Sequence, residues 1–238
     1  MADTLYLVCG LMSDRAIWRA QLPALEARFD VRACHFPGFD SITRMAETAL
    51  GDAPERFSLA GHSMGGRVAL EMYRLAGERI ERLALFDTGI YPAHEREADN
   101  RRALTEAAFS RGMEAMAREV WIPSIIHPAR LDDEVLVETL SAMAQRNTPD
   151  QMARQIDALL HRPDMRALLP EIHCPTLVCC GREDAWASAN QHIEMADLIP
   201  GARLEIIHHC GHMAMMEHPH EVTQFMLEWL GVNSAEFR

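Results

Sequence analysis

Gly61-His62-Ser63-Met64-Gly65 places a serine between two glycines, each two positions away. The apolar run Phe57-Ser58-Leu59-Ala60 precedes it, and a segment rich in Val, Ala, Leu, Met and Tyr follows from Gly66-Arg67. The pattern therefore sits at a strand-to-helix corner. At such a corner the serine takes a strained backbone, and Gly61 and Gly65 stand where a side chain would meet neighbouring backbone. Ser63 then projects its hydroxyl as a nucleophile, while amides at the helix start face any negative charge that develops on an attacked carbonyl. Two glycines alone would mark only a tight strand–helix connection, as in a nucleotide fold. The flanking elements favour the chemical reading.

A serine hydroxyl reacts only when a base takes its proton, and imidazole is the side chain best matched to that task near neutral pH. Twelve histidines compete. Position singles out His212, because Leu204-Glu205-Ile206-Ile207 reads as a strand and Cys210-Gly211-His212 follows in a turn. His208 and His209 precede it, and His218 and His220 follow. The set His208, His209, His212 shares no helix face and has no accompanying carboxylate or cysteine set, so no metal is expected. His62 is expected to point away from the cleft. Two carboxylates could orient the imidazole: Asp184, directly after the apolar strand Thr176–Cys180, and Asp87, which closes Leu85-Phe86-Asp87. Asp87 has a second reading as the cap of a turn at Thr88-Gly89.

The strand, Gly-x-Ser-x-Gly turn and helix resemble the nucleophile elbow of the α/β-hydrolase superfamily. The likeness runs over almost the whole chain and is weakest across Ile90–Leu169. It implies the order serine, acid, histidine, with the histidine just after the last strand, here Gly211-His212, and the acid after the strand before it. That order favours Asp184 over Asp87, although some hydrolases of this fold carry the acid on the earlier strand. Two backbone donors are expected for the oxyanion: the N–H of Met64 and that of Leu11 in the loop Cys9-Gly10-Leu11-Met12. Many relatives carry His-Gly in this loop. Gly10-Leu11-Met12 followed by Asp14 and Trp18 resembles instead a subgroup with Gly-Leu-Leu/Met, an Asp and a Trp.

The resemblance implies a cofactor-free serine hydrolase acting on a small carboxylic ester, lactone or thioester through an acyl-serine. Menaquinone-pathway lyases of this fold resemble the chain through Ser63-Met64-Gly65-Gly66-Arg67, and dienone carbon–carbon hydrolases share the fold. A ligand receptor on the same scaffold is a third reading, against which an intact Ser63, Asp184 and His212 argues. Met12, Met64 and Met213 lie beside donor, nucleophile and base, so they either line an adaptable substrate pocket or fill the core. Trp121, with Ile122, either closes over the serine or packs inside the insertion. Arg67, one helical turn after Ser63, either anchors a substrate carboxylate or pairs with a protein carboxylate.

Positioning these groups takes an alternating chain. Short apolar runs at Leu5–Cys9, Val31–Phe36, Phe57–Ala60, Leu83–Phe86, Thr176–Cys180 and Leu204–Ile207 read as strands of a mainly parallel sheet with helices on both faces. Helices are expected at Ile17–Arg28, Met64–Gly77, Ala189–Leu198 and Glu221–Leu230. From Ile90 the strand signal stops. Residues 90–169 are read as a helical lid of three or four short helices, punctuated by Pro92, Pro123, Pro128, Pro149 and Pro163, inserted into a core of 1–89 and 170–238.

Composition narrows the partners. With 238 residues, 48% hydrophobic and a formal charge of −12, the chain can bury one large core but offers no electrostatic footprint for nucleic acid or an anionic membrane. No run is long enough to span a bilayer. Six cysteines without zinc spacing suit a reducing cytoplasm. The expected partner is a small-molecule substrate, and the assembly a monomer or homodimer.

Overall fold

The computed structural model describes residues 3–232, so residues 1–2 and 233–238 of the expected core segments lie outside the described residues. Six strands form one sheet: β1 (Thr4–Val8), β2 (Asp30–Cys34), β3 (Phe57–His62), β4 (Ile80–Phe86), β5 (Thr176–Gly181) and β6 (Arg203–Ile207). All pairs are parallel, in the order β2-β1-β3-β4-β5-β6. Every residue of β3 and β5 is buried, as continuous apolar strands require in a sheet covered on both faces.

Among the described residues ten α-helices accompany the sheet: α1 (Leu22–Glu26), α2 (Ile42–Gly51), α3 (Met64–Ala76), α4 (Glu95–Met116), α5 (Ile122–Ile125), α6 (Glu134–Gln145), α7 (Pro149–Leu160), α8 (Ala189–Leu198), α9 (Ala214–Glu217) and α10 (Pro219–Trp229). Helix α3 buries Val68, Ala69, Leu70 and Met72 against the sheet. Helix α7 opens on a capping box, the Thr148 hydroxyl accepting from Gln151 N while the Gln151 side chain accepts from Thr148 N. No helix among the described residues is long and apolar enough to cross a membrane.

Two expectations about helices are corrected. Ile17–Arg28 is not one helix: Arg15–Trp18 forms a 3-10 turn capped by Asp14, and α1 restarts at Leu22. Pro23 explains the break, since it lacks an N–H and is tolerated only in a helix's first turn. Between β4 and β5 the segment holds four helices, α4 to α7, within the number expected, but α4, at 22 residues, is not short. No proline falls between Pro92 and Pro123 to stop it. Gly112 alone interrupts it, at φ 84° and ψ 166°, a conformation only glycine adopts freely.

The strand order reverses beside β1, and in such sheets the ligand crevice opens at the carboxyl ends of the strands. Leu11, Ser63, Asp87, Asp184 and His212 all lie in segments leaving those ends.

Candidate active site

Ser63 links β3 to α3 with φ 54° and ψ −118°, a strained conformation for a residue with a side chain. Its N–H donates to Phe86 O at 2.9 Å, and its carbonyl accepts from Thr88 Oγ1 at 2.7 Å. A Cβ on Gly61 would stand 2.3 Å from Gly65 O, and one on Gly65 2.2 Å from Val8 O. Only glycine permits that approach of β1, the turn and α3.

Ser63 Oγ donates to His212 Nε2 at 2.8 Å, and His212 Nδ1 donates to Asp184 Oδ2 at 2.8 Å. The other Asp184 oxygen accepts from Trp186 N at 2.7 Å and Ala187 N at 2.9 Å. The His212 backbone is pinned as well: its N–H donates to Ile125 O at 2.6 Å, and its carbonyl accepts from His62 Nε2 at 2.9 Å. Burial opposes charge on His212, but the Asp184 carboxylate and its hydrogen bond outweigh it and raise the imidazole above its ordinary range. Burial likewise works against the Asp184 charge, and His212 with the Ala187 amide reverses this, holding the carboxyl below its usual value. His62 is buried, and desolvation drops it to about 3, so it is a neutral hydrogen-bond donor beneath His212.

Asp87 makes no hydrogen bond to His212 among the described residues. Its two oxygens accept from Gly181 N at 2.9 Å and Ala214 N at 3.2 Å, tying β5 to α9. Burial, then the nearby charge of Asp184, push its carboxyl up to about 8. Its φ of 45° marks a second strained point at the end of β4. His209 joins neither His208 nor His212; its ring lies with His127 and Glu183, whose ligand atoms come within 4.8 Å of one another.

The loop after β1 lies against the serine, since a Cβ on Gly10 would stand 3.2 Å from Ser63 Cβ. Neither Leu11 N nor Met64 N donates to a protein acceptor among the described residues. The segment between β4 and β5 holds this loop. Gln155 Oε1 accepts from Met12 N at 3.0 Å while Gln155 Nε2 donates to Phe36 O at 2.9 Å, and Asn147 Nδ2 donates to Met12 O at 3.2 Å. Arg146 pairs with Asp14 at 2.6 Å.

A cavity of about 150 Å³ opens over Ser63, Met64 and His212. Met12 and Met213 are buried and do not line it; they pack in the core, as does Trp121 within the helical segment. The tryptophan in the wall is Trp186, two residues after Asp184, with its ring centroid 5.7 Å from that of His212. Arg67 does line the cavity, joined by Arg101 of α4 and Arg162 just past α7. Arg162 grips Glu97 with both terminal nitrogens, at 2.7 and 2.6 Å, and Arg101 Nε donates to the same carboxylate at 2.9 Å. Burial would raise Glu97, but these cations hold it at about 2. Burial also works against charge on Arg67, as do Arg162 and Arg101 beside it, yet a guanidinium keeps its proton. Sequence reasoning missed Arg101, Arg162, Gln155 and Trp186. Of these only Trp186 carried a local signal, an aromatic next to the acid.

Residues 5–225 match the model of the alpha/beta hydrolase family. The chain belongs to that family. It is similar to the pimeloyl-[acyl-carrier protein] methyl ester esterase of Nitrosomonas europaea, with 25% identity over 232 residues covering 91% of each chain. It is also similar to a thermophilic esterase from Thermogutta terrifontis, solved with malate bound: 30% identity and a TM-score of 0.84, covering 96% of this chain and 90% of the other. The enol-lactonase of Burkholderia xenovorans LB400 shares the fold, with a TM-score of 0.87 at 24% identity over 97% of this chain and 92% of that one.

Proposed function

We propose that the protein is a serine hydrolase that cleaves small carboxylic esters, thioesters or lactones through an acyl-serine on Ser63. One observation carries the reading: Ser63 Oγ, His212 and Asp184 form a continuous hydrogen-bonded chain with both links at 2.8 Å. As Ser63 Oγ attacks the carbonyl carbon, His212 Nε2 takes its proton, and Asp184 stabilises the imidazolium so formed. The N–H groups of Leu11 and Met64 receive the negative oxygen. His212 then returns the proton to the departing alcohol or thiol. In the second half, water loses a proton to His212 and attacks the acyl carbon, which releases the acid and restores Ser63.

Residues 90–169 act as a lid over the core of 3–89 and 170–232, because they supply Glu97, Arg101, Leu159 and Arg162 to the cavity wall. Such walls keep bulk water from a seated ester. The names of the Nitrosomonas and Thermogutta relatives, both esterases, support the ester reading.

The test is fluorophosphonate labelling of the protein and of Ser63→Ala, followed by turnover of p-nitrophenyl esters of increasing chain length. Labelling confined to the unsubstituted protein, with turnover of short esters, is the expected result. Labelling with no ester turned over keeps the activated serine but moves the chemistry to carbon–carbon cleavage. No labelling overturns the proposal.

A further inference from the structure

We propose that Arg67 and Arg101 form a carboxylate-binding subsite beside Ser63, so that the substrate is an ester or thioester carrying a carboxylate a few bonds from the attacked carbonyl. This rests on the serine hydrolase reading and adds to it the class of substrate.

The charges around the cavity do not balance. Three guanidinium groups line it against two carboxyls: Glu97, their only ion-pair partner among the described residues and shared between Arg101 and Arg162, and Asp87, which burial pushes up to about 8. Arg162 is fully engaged: besides Glu97 it donates to Leu159 O at 2.7 Å and Tyr91 O at 2.9 Å. It braces the wall. Arg101 spends only Nε on Glu97, and its Nη1 is buried with no acceptor. Arg67 donates from Nη1 to Tyr91 O at 3.0 Å, and no acceptor among the described residues meets its Nε or Nη2.

A buried charged donor without an acceptor is a standing penalty that a bound anion removes. Arg101 Nη1 carries that penalty here, and the remaining Arg67 donors face solvent rather than protein oxygens, unlike the nitrogens of Arg162. Arg101 is also fixed against the catalytic end of the cavity: its Cζ sits 5.2 Å from the Trp186 ring centroid, and Trp186 lies beside His212. Arg67 follows Ser63 by four residues on α3, a rise of about 6 Å along the helix. Both arginines and Ser63 line one cavity, so an anion held by the arginines shares it with the carbonyl that Ser63 attacks. In about 150 Å³ there is room for a short acyl chain and a planar carboxylate, which matches the guanidinium fork. The chain as a whole carries −12, so a cationic cavity within it is a local device for one ligand.

The experiment compares kcat/KM for mono-p-nitrophenyl glutarate with that for p-nitrophenyl pentanoate, which has nearly the same length and no charge. Rates are taken per fluorophosphonate-reactive serine, so only folded, active protein is counted. The unsubstituted protein is expected to prefer the acidic ester by about tenfold or more at low salt. In Arg67→Gln and in Arg101→Gln that preference ratio is expected to fall about tenfold, toward parity. Should Arg101→Gln fail to fold, Arg67→Gln decides alone. Binding of glutarate followed by calorimetry reads the subsite without chemistry, and its affinity is expected to fall about tenfold or more in Arg67→Gln. Equal turnover of both esters, or a ratio unmoved in the variants, overturns the subsite and leaves the serine hydrolase intact. An unlabelled serine with glutarate still bound through Arg67 overturns the hydrolase reading and keeps the anion site.

Discussion

Replacing Asp184 by asparagine should cripple turnover while sparing the fold, and the hydrogen bonds say why. The amides of Trp186 and Ala187 both donate to Asp184 Oδ1, so an asparagine keeps its carbonyl oxygen there and turns its NH2 toward His212. Two donors cannot face each other, so His212 Nδ1 must become the acceptor and Nε2 must carry the ring proton. That tautomer cannot accept from Ser63. The expected loss in kcat is about 10³- to 10⁴-fold, or roughly 4–5.5 kcal/mol of barrier. Melting temperature should change little, because the loop amides stay satisfied. Asp87→Asn provides the contrast. Both Asp87 oxygens accept from backbone amides, so one asparagine nitrogen must meet the N–H of Gly181 or Ala214 in a buried site. Stability should drop by about 1–3 kcal/mol while kcat falls less than about tenfold. The assay is kcat on a p-nitrophenyl ester per titrated serine, beside a urea melt of each variant. If Asp87→Asn loses the larger factor in kcat and Asp184→Asn turns over normally, the acid has been misassigned.

In the proposed mechanism turnover needs neutral His212, whose folded pKa is raised, so kcat/KM should fall as pH drops, with a midpoint above the ordinary imidazole value of 6.5. In Asp184→Asn the largest influence opposing burial is lost and the midpoint should move down; a profile flat from pH 5 to 8 would argue against a histidine base. Gly65→Ala should destabilise the protein by about 3 kcal/mol or more in urea unfolding, since its Cβ would stand 2.2 Å from Val8 O. A change under about 0.5 kcal/mol would show that the corner yields. Gln155→Leu strips a partner from Met12 N and from Phe36 O, which should cost about 1–3 kcal/mol and lower kcat about tenfold by loosening the loop that carries Leu11. Unchanged kcat would show that the tether has no bearing on turnover.

The sheet was legible because its strands are short apolar runs with nothing else to be, and β5, Thr-Leu-Val-Cys-Cys-Gly, is the plainest. Helix α2 was not foreseen: its buried face is Ile42, Met45, Ala46 and Ala49, and two of the four are alanines that barely raise the apolar signal. Ser63 and His212, 149 residues apart, could be paired from sequence because each follows a strand whose end faces the same crevice. The cationic wall offered no such handle. Arg101 stands on α4 and Arg162 just past α7, at positions where arginine ordinarily points to water, and only the packing of α4 against α7 turns them inward. Gln155 was hidden for the same reason, since its partners, Met12 and Phe36, lie 143 and 119 residues away.

That tether also governs how this architecture can be recombined. The segment between β4 and β5 looks like a cassette, because it joins two neighbouring parallel strands. Yet Gln155, Asn147 and Arg146 reach out of it to Met12 and Asp14, and the carbonyl of Ile125 holds His212 N. A chimera that took this segment from a relative would keep every residue of the serine–histidine–aspartate chain and still lose the struts that set two of its loops. Specificity grafted by segment exchange should therefore arrive with a rate penalty, recoverable by restoring a glutamine at position 155 rather than by altering the cavity wall.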